Sequence, residues 1–104
     1  MEGKEHYKYS ANELKEISKI HASESYKIDE ALDFIMEKCL KEAYLGKSNM
    51  YLYLNPNQKP YEEKIKTILK YKNKISDNLK SLGYKISFEK PTFIQEGEYL
   101  YVGW

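Results

Sequence analysis

Apolar residues recur along this chain with two periods, and the switches between them outline the fold. Leu14, Ile17, His21 and Ile28 recur at helical spacing after Ser10. Ser10 with Glu13 three residues on has the form of a capping box, so a helix starts at Ala11. The polar stretch 21–27 is weakly helical and is expected to divide the segment into a short first helix and a longer second one. A single helix from Ala11 to Leu45 is the alternative, because the stripe nearly stays in phase. The second helix is expected over Asp29–Leu45, with Ile28, Leu32, Ile35, Met36, Cys39 and Ala43 as its apolar face and Gly46 as its stop.

The period then drops to two. Met50, Leu52 and Leu54 alternate with Tyr51 and Tyr53, which predicts a strand over 49–54 with one aliphatic and one aromatic face. The loop 55–60 carries Asn and Pro, and Pro60 suits a helix start. A third helix is predicted from Tyr61 to Leu82, with Ile65, Ile68, Leu69, Ile75, Leu79 and Leu82 buried. Lys72 falls on that stripe, so it either snorkels or marks a kink near 71–74. After Gly83 a strand over 84–89 puts Tyr84, Ile86 and Phe88 on one face. A loose turn over 91–97 leads to a last strand, 98–104, with Leu100, Val102 and Trp104 opposite Tyr99 and Tyr101.

The order α-α-β-α-β-β predicts one α+β domain over 1–104, a two-layer sandwich with its helices on one face of a small mixed sheet. The first and second strands are expected to be parallel across a right-handed helical crossover, and the last two to be antiparallel neighbours. The sheet has three strands, or four if residues 1–9, where Tyr7 and Tyr9 alternate, form an edge strand rather than a flexible arm.

Composition narrows the function. A chain of 104 residues is one domain with a modest core. No apolar run is long enough for a membrane span, and the start has no secretory apolar core. Cys39 is the only cysteine, so no disulfide forms within the chain, and a cytoplasmic setting is expected. All 17 basic residues are lysine, and the net charge is +1. Without the planar fork of arginine and without a basic excess, nucleic acid is a disfavoured partner. Lys, Asn, Ile, Tyr and Phe dominate while Gly, Ala and Pro are scarce, so AT-rich coding accounts for the lysine bias.

Candidate chemistry is sparse. The chain has no phosphate loop, dinucleotide fingerprint, HExxH, CxxC or GxSxG, and His6, His21 and Cys39 are too few and scattered for a metal site. No cofactor or metal is expected. A Cys39–His21 nucleophile pair is conceivable, but a cysteine on an apolar helix face is ordinarily inert packing. The reading is therefore of a protein that is not an enzyme.

Binding surfaces are better marked. Tyr51, Tyr53, Tyr99 and Tyr101 are expected to share one sheet face, as a docking surface, a self-association surface or a solvated tyrosine ladder. Glu30, Asp33 and Glu37 line the outer side of the second helix, and Lys66, Lys70 and Lys74 that of the third. Such stripes are solvated faces unless a partner of opposite charge uses them. Asn55, Asn57, Gln58 and Lys59 follow the carboxyl end of a strand, where a small anion could be held. Trp104 either caps the core or marks an interface.

Three stretches, KEAYLGKSNMYLYL, NLKSLGYKISFE and the terminal EYLYVGW, give the chain a pattern that resembles small uncharacterised α+β proteins encoded by bacteriophages and prophages. The third helix is longer than in that pattern, and 70–76 is where it departs. The resemblance implies an accessory gene of a mobile element. It implies a product that binds and inhibits a host protein in the host cytoplasm, most often a defence component, in the manner of anti-CRISPR proteins. The alternatives are an oligomer that sequesters a nucleotide signal and a structural or assembly subunit.

Overall fold

The computed structural model describes residues 8–57, 59–90 and 97–104. Helices α1 (Ala11–Ala22) and α2 (Glu24–Tyr44) are followed by strand β1 (Asn49–Leu54). Helices α3 (Glu62–Lys70) and α4 (Lys72–Ser81) then precede strands β2 (Lys85–Glu89) and β3 (Glu98–Gly103). The protein is α+β, with α2, α3 and α4 on one side of a three-stranded sheet. The expectation for residues 1–7 and the turn residues 91–96 lies outside the described residues, and residues 8–10 have no regular structure.

The predicted capping box is present. The Glu13 amide donates to Ser10 Oγ at 3.1 Å, and Glu13 Oε1 accepts from the Ser10 amide at 2.7 Å. The first segment is two helices, and one residue divides them. Ser23 is extended (φ −70°, ψ 149°) and serves both ends. Its amide and hydroxyl donate to the Ile20 carbonyl, while its Oγ accepts from the Tyr26 amide at 3.2 Å. Because Ser23 caps α2 directly, that helix starts five residues before the expected Asp29. Gly46 and Gly83 stop α2 and α4 with φ of 83° and 97°, a conformation costly for a residue with a Cβ.

The third helical segment is also broken, at Tyr71 (φ −117°, ψ 40°). Lys72 explains the break. An uninterrupted helix would aim it into the apolar stripe. Instead its ammonium ion-pairs with Glu98 at the start of β3 and lies 5.3 Å from the Phe88 ring centre. The kink alternative of the sequence reading is the one observed.

The sheet order is β1-β3-β2, and both pairings are antiparallel. The sheet is thus antiparallel throughout rather than mixed. β1 and β2 run the same way, but β3 lies between them, so the α3–α4 crossover spans the central strand. Side chains fit the edge place of β2, which carries Lys85 and Glu89, while Leu100 and Val102 of β3 and Leu54 of β1 are fully buried. The core joins Met50, Leu54, Leu100 and Val102 to Ile28, Ala31, Phe34, Ile35 and Cys39 of α2, Ile65 and Ile68 of α3, and Ile75 and Leu79 of α4.

Helix α1 stands apart. None of its side chains is buried, and among the described helices and strands α2 is its only substantial neighbour. The molecule is accordingly elongated, 53 × 31 × 24 Å, with a radius of gyration of 16.9 Å. A compact chain of this length would have about 13 Å.

Candidate functional site: the tyrosine face

In a strand, successive side chains point to opposite faces. The helices take the face of Met50, Leu52, Leu54, Ile86, Phe88, Leu100 and Val102, so the other face belongs to the alternate residues. The register then places Tyr51 beside Tyr101 and Tyr53 beside Tyr99. Both pairs have ring centroids 5.1 Å apart, tilted by 56° and 39°, within the range over which aromatic pairs attract. The four tyrosines of the sequence reading are therefore brought together on one face.

The surroundings of these rings are polar. Ser87 is level with Tyr101 and Glu89 with Tyr99, and Ser87 Oγ donates to Glu89 Oε2 at 2.9 Å. Asn49 and Lys85 flank Gly103. A Cβ at Gly103 would lie 2.5 Å from the Tyr101 hydroxyl, so the Tyr101 ring lies along the strand over the space that glycine leaves. Tyr51 is 57% exposed, and the other three rings are half-buried. An aromatic centre within a polar rim is the anatomy of a recognition surface.

The acidic residues are also brought together. Glu30, Asp33 and Glu37 line a shallow depression of about 180 Å³ with Phe34 and Lys64. Glu30 accepts a hydrogen bond from the Tyr26 hydroxyl at 3.2 Å. Desolvation and the Glu30 carboxylate both raise the Tyr26 pKa. Lys64 in the wall offsets part of the stripe's charge. Among the described residues no group of acidic, histidine or cysteine side chains is arranged to hold a metal.

The lysine stripe is divided by the Tyr71 break. Lys66 lies 3.9 Å from Glu62, Lys70 lies over the Tyr71 ring, and Lys74 is bound to Glu24 at the start of α2. That hydrogen bond and charge raise the Lys74 pKa. The loop residues do not converge on a ligand position. Asn55 Oδ1 accepts from the Asn57 amide at 3.0 Å, and Lys59 faces Glu62 at 3.9 Å, while Gln58 is outside the described residues.

Cys39 and His21 do not form a pair. Cys39 is buried, and burial pushes its thiol up to about 11, so it is protonated at neutral pH. His21 lies on the exposed α1, with its ring 4.3 Å from that of Tyr26. About 22 Å of helix separates Glu24 from Cys39 alone.

One feature escapes the sequence reading. Met36, Cys39, Leu40 and Ala43 of α2, with Tyr84 and Trp104, line an apolar groove of about 330 Å³. Trp104 is 41% exposed there, so it neither caps the core nor extends the tyrosine face. Its backbone amide donates to the Ser48 carbonyl at 3.0 Å, which fixes it beside the C-terminal end of α2. The signal lay in Leu40 and Leu45, apolar residues that fit no buried stripe, whereas Leu82, expected in the stripe of the third helix, is exposed because that helix ends at Ser81.

No helix of the described residues is long and apolar enough to cross a membrane. Comparison with protein-family models, curated proteins and solved structures finds nothing that matches the chain.

Proposed function

We propose that this protein is a binding module that docks a partner protein on its tyrosine sheet face. The observation that carries the reading is the pairing of Tyr51 with Tyr101 and Tyr53 with Tyr99 on the sheet face opposite the core. Tyrosine buries a large rigid area at little entropic cost and keeps a polar tip, which is why it is enriched at interface centres. The near-neutral charge and absence of arginine favour a protein over nucleic acid. In the phage or prophage setting implied by the sequence pattern, the partner is a host protein in the cytoplasm. Inhibition of a defence component is the form we favour, with Glu30, Asp33 and Glu37 as a secondary contact.

Affinity capture from a bacterial lysate tests this. Wild type is expected to retain a partner that a folded Tyr51→Ala, Tyr101→Ala double variant loses. In a host carrying an active defence system, wild type should restore phage plating and the double variant should not. Equal retention by both proteins would overturn the reading.

A further inference from the structure

The two outer strands of the sheet differ in charge. β1 carries no charged side chain, whereas β2 places Lys85 at one end and Glu89 at the other. Both are exposed, and among the described residues neither forms an ion pair. Glu89 accepts only from the Ser87 hydroxyl of its own strand. The backbone of β2 is open on the same side. The Trp104 amide donates to the Ser48 carbonyl, and alternation along the antiparallel ladder carries that pattern through both pairings. Lys85, Ser87 and Glu89 therefore turn their amides and carbonyls to β3, while Ile86 and Phe88 turn theirs outward. Among the described residues no strand pairs with that outer side. An open row of ladder groups is a template for another strand.

We infer that two copies of this chain join through β2, antiparallel about a two-fold axis at Ser87, and so double the three-stranded sheet. In that register Ile86 lies opposite Phe88 of the second copy, and each such pair exchanges both of its main-chain hydrogen bonds. Lys85 lies opposite Glu89 of the second copy, and Glu89 opposite its Lys85. These fall in the closer pairs of the ladder, with Cβ atoms about 5 Å apart on the tyrosine side of the sheet. The charges select the occupant. A strand without charge leaves Lys85 and Glu89 unanswered, and a parallel second copy sets like against like. The antiparallel second copy answers both charges with the same two residues. Side chains that guard this edge against other strands thus match another copy of it. The apolar side agrees. Ile86 and Phe88 are half-buried where the rows from Met50 through Val102 and from Leu52 through Leu100 reach the edge. The pairing continues both rows into the second copy. Strand addition draws its affinity from main-chain hydrogen bonds and its specificity from alternate side chains. The four tyrosines stay uncovered, so the inference stands apart from the function proposed above.

Light scattering on the full chain, at tens to hundreds of micromolar, tests the pairing. Wild type is expected at twice 12.4 kDa. Lys85→Glu alone sets carboxylate against carboxylate across the seam, and Glu89→Lys alone sets ammonium against ammonium. Each should weaken self-association at least about tenfold with unchanged circular dichroism, since both positions are exposed. An equimolar mixture of the two single variants should recover the dimer mass as a mixed pair. The chain carrying both substitutions should recover it alone. A monomeric wild type would overturn the inference. So would a dimer indifferent to both single reversals, or a mixture that stays monomeric. A dimer dissolved by Tyr51→Lys but not by Lys85→Glu would overturn it too, and would move the contact to the β1 edge.

Discussion

Leu100 and Tyr101 are neighbours on the central strand, yet they belong to opposite sides of the molecule. Leu100 is fully buried between the sheet and the helices. Tyr101 lies on the other face, against Tyr51 and over Gly103. The strand backbone alone makes this division, because each step of one residue reverses the side chain. One face packs the core, and the other carries the four tyrosines that we propose as a docking surface. Variants on β3 and its neighbours should therefore fall into two classes, one that unfolds the protein and one that leaves it folded and alters its surface.

The largest effect is expected at Leu100→Ala, which leaves a cavity under the central strand. It should cost about 2–5 kcal/mol in urea unfolding, a large fraction of the stability of so small a domain. A cost below about 1 kcal/mol would mean that the helix face is not the core. Glu98→Gln comes next. It removes the charge that holds Lys72 away from the apolar stripe, and a loss of about 1–2 kcal/mol is expected. Lys72→Met in the same background should recover part of it, since an apolar side chain at that position suits the stripe.

The helix layer also carries a pH signature. The Cys39 thiol ionises near 9 in the unfolded chain and only at about 11 when buried. Between those values the unfolded state holds fewer protons, so folding stability falls as pH rises. The urea midpoint should decline from pH 8 to pH 10.5 by the equivalent of about 1 kcal/mol more in wild type than in Cys39→Ala. Equal slopes would place the thiol in contact with water. Gly103→Ala should have the smallest effect on stability, below about 1 kcal/mol, because the obstructing atom is the mobile end of the Tyr101 ring. Its consequence should be a displaced ring, read as altered tyrosine chemical shifts confined to Tyr51 and Tyr101.

The same comparison explains what the sequence made legible. The tyrosine face was readable because it depends only on strand alternation, which holds whatever the strand order. The order itself was not readable. β1, helix and β2 look like an adjacent parallel unit, but β3 pairs with both and lies between them. Lys72 announced the break at Tyr71 because a charge on an apolar stripe must be accommodated, but its partner Glu98 lies 26 residues away and outside any local pattern. Ser23 was missed as a cap because its role at both helix ends shows only in its hydrogen bonds. The groove beside Trp104 assembles residues from α2 and the flanks of two strands, so no single window of sequence contains it.

The tyrosine face is the surface proposed for recognition. Once a partner has been captured, titration calorimetry against it compares wild type with the Tyr51→Ala, Tyr101→Ala variant. Affinity should weaken by at least about 100-fold, the scale of two interface anchors. The unfolding free energy should meanwhile change by no more than about 1–2 kcal/mol, because these rings stabilise the sheet only as cross-strand pairs. An unchanged Kd in a folded double variant would contradict the account and move the binding surface elsewhere on the molecule.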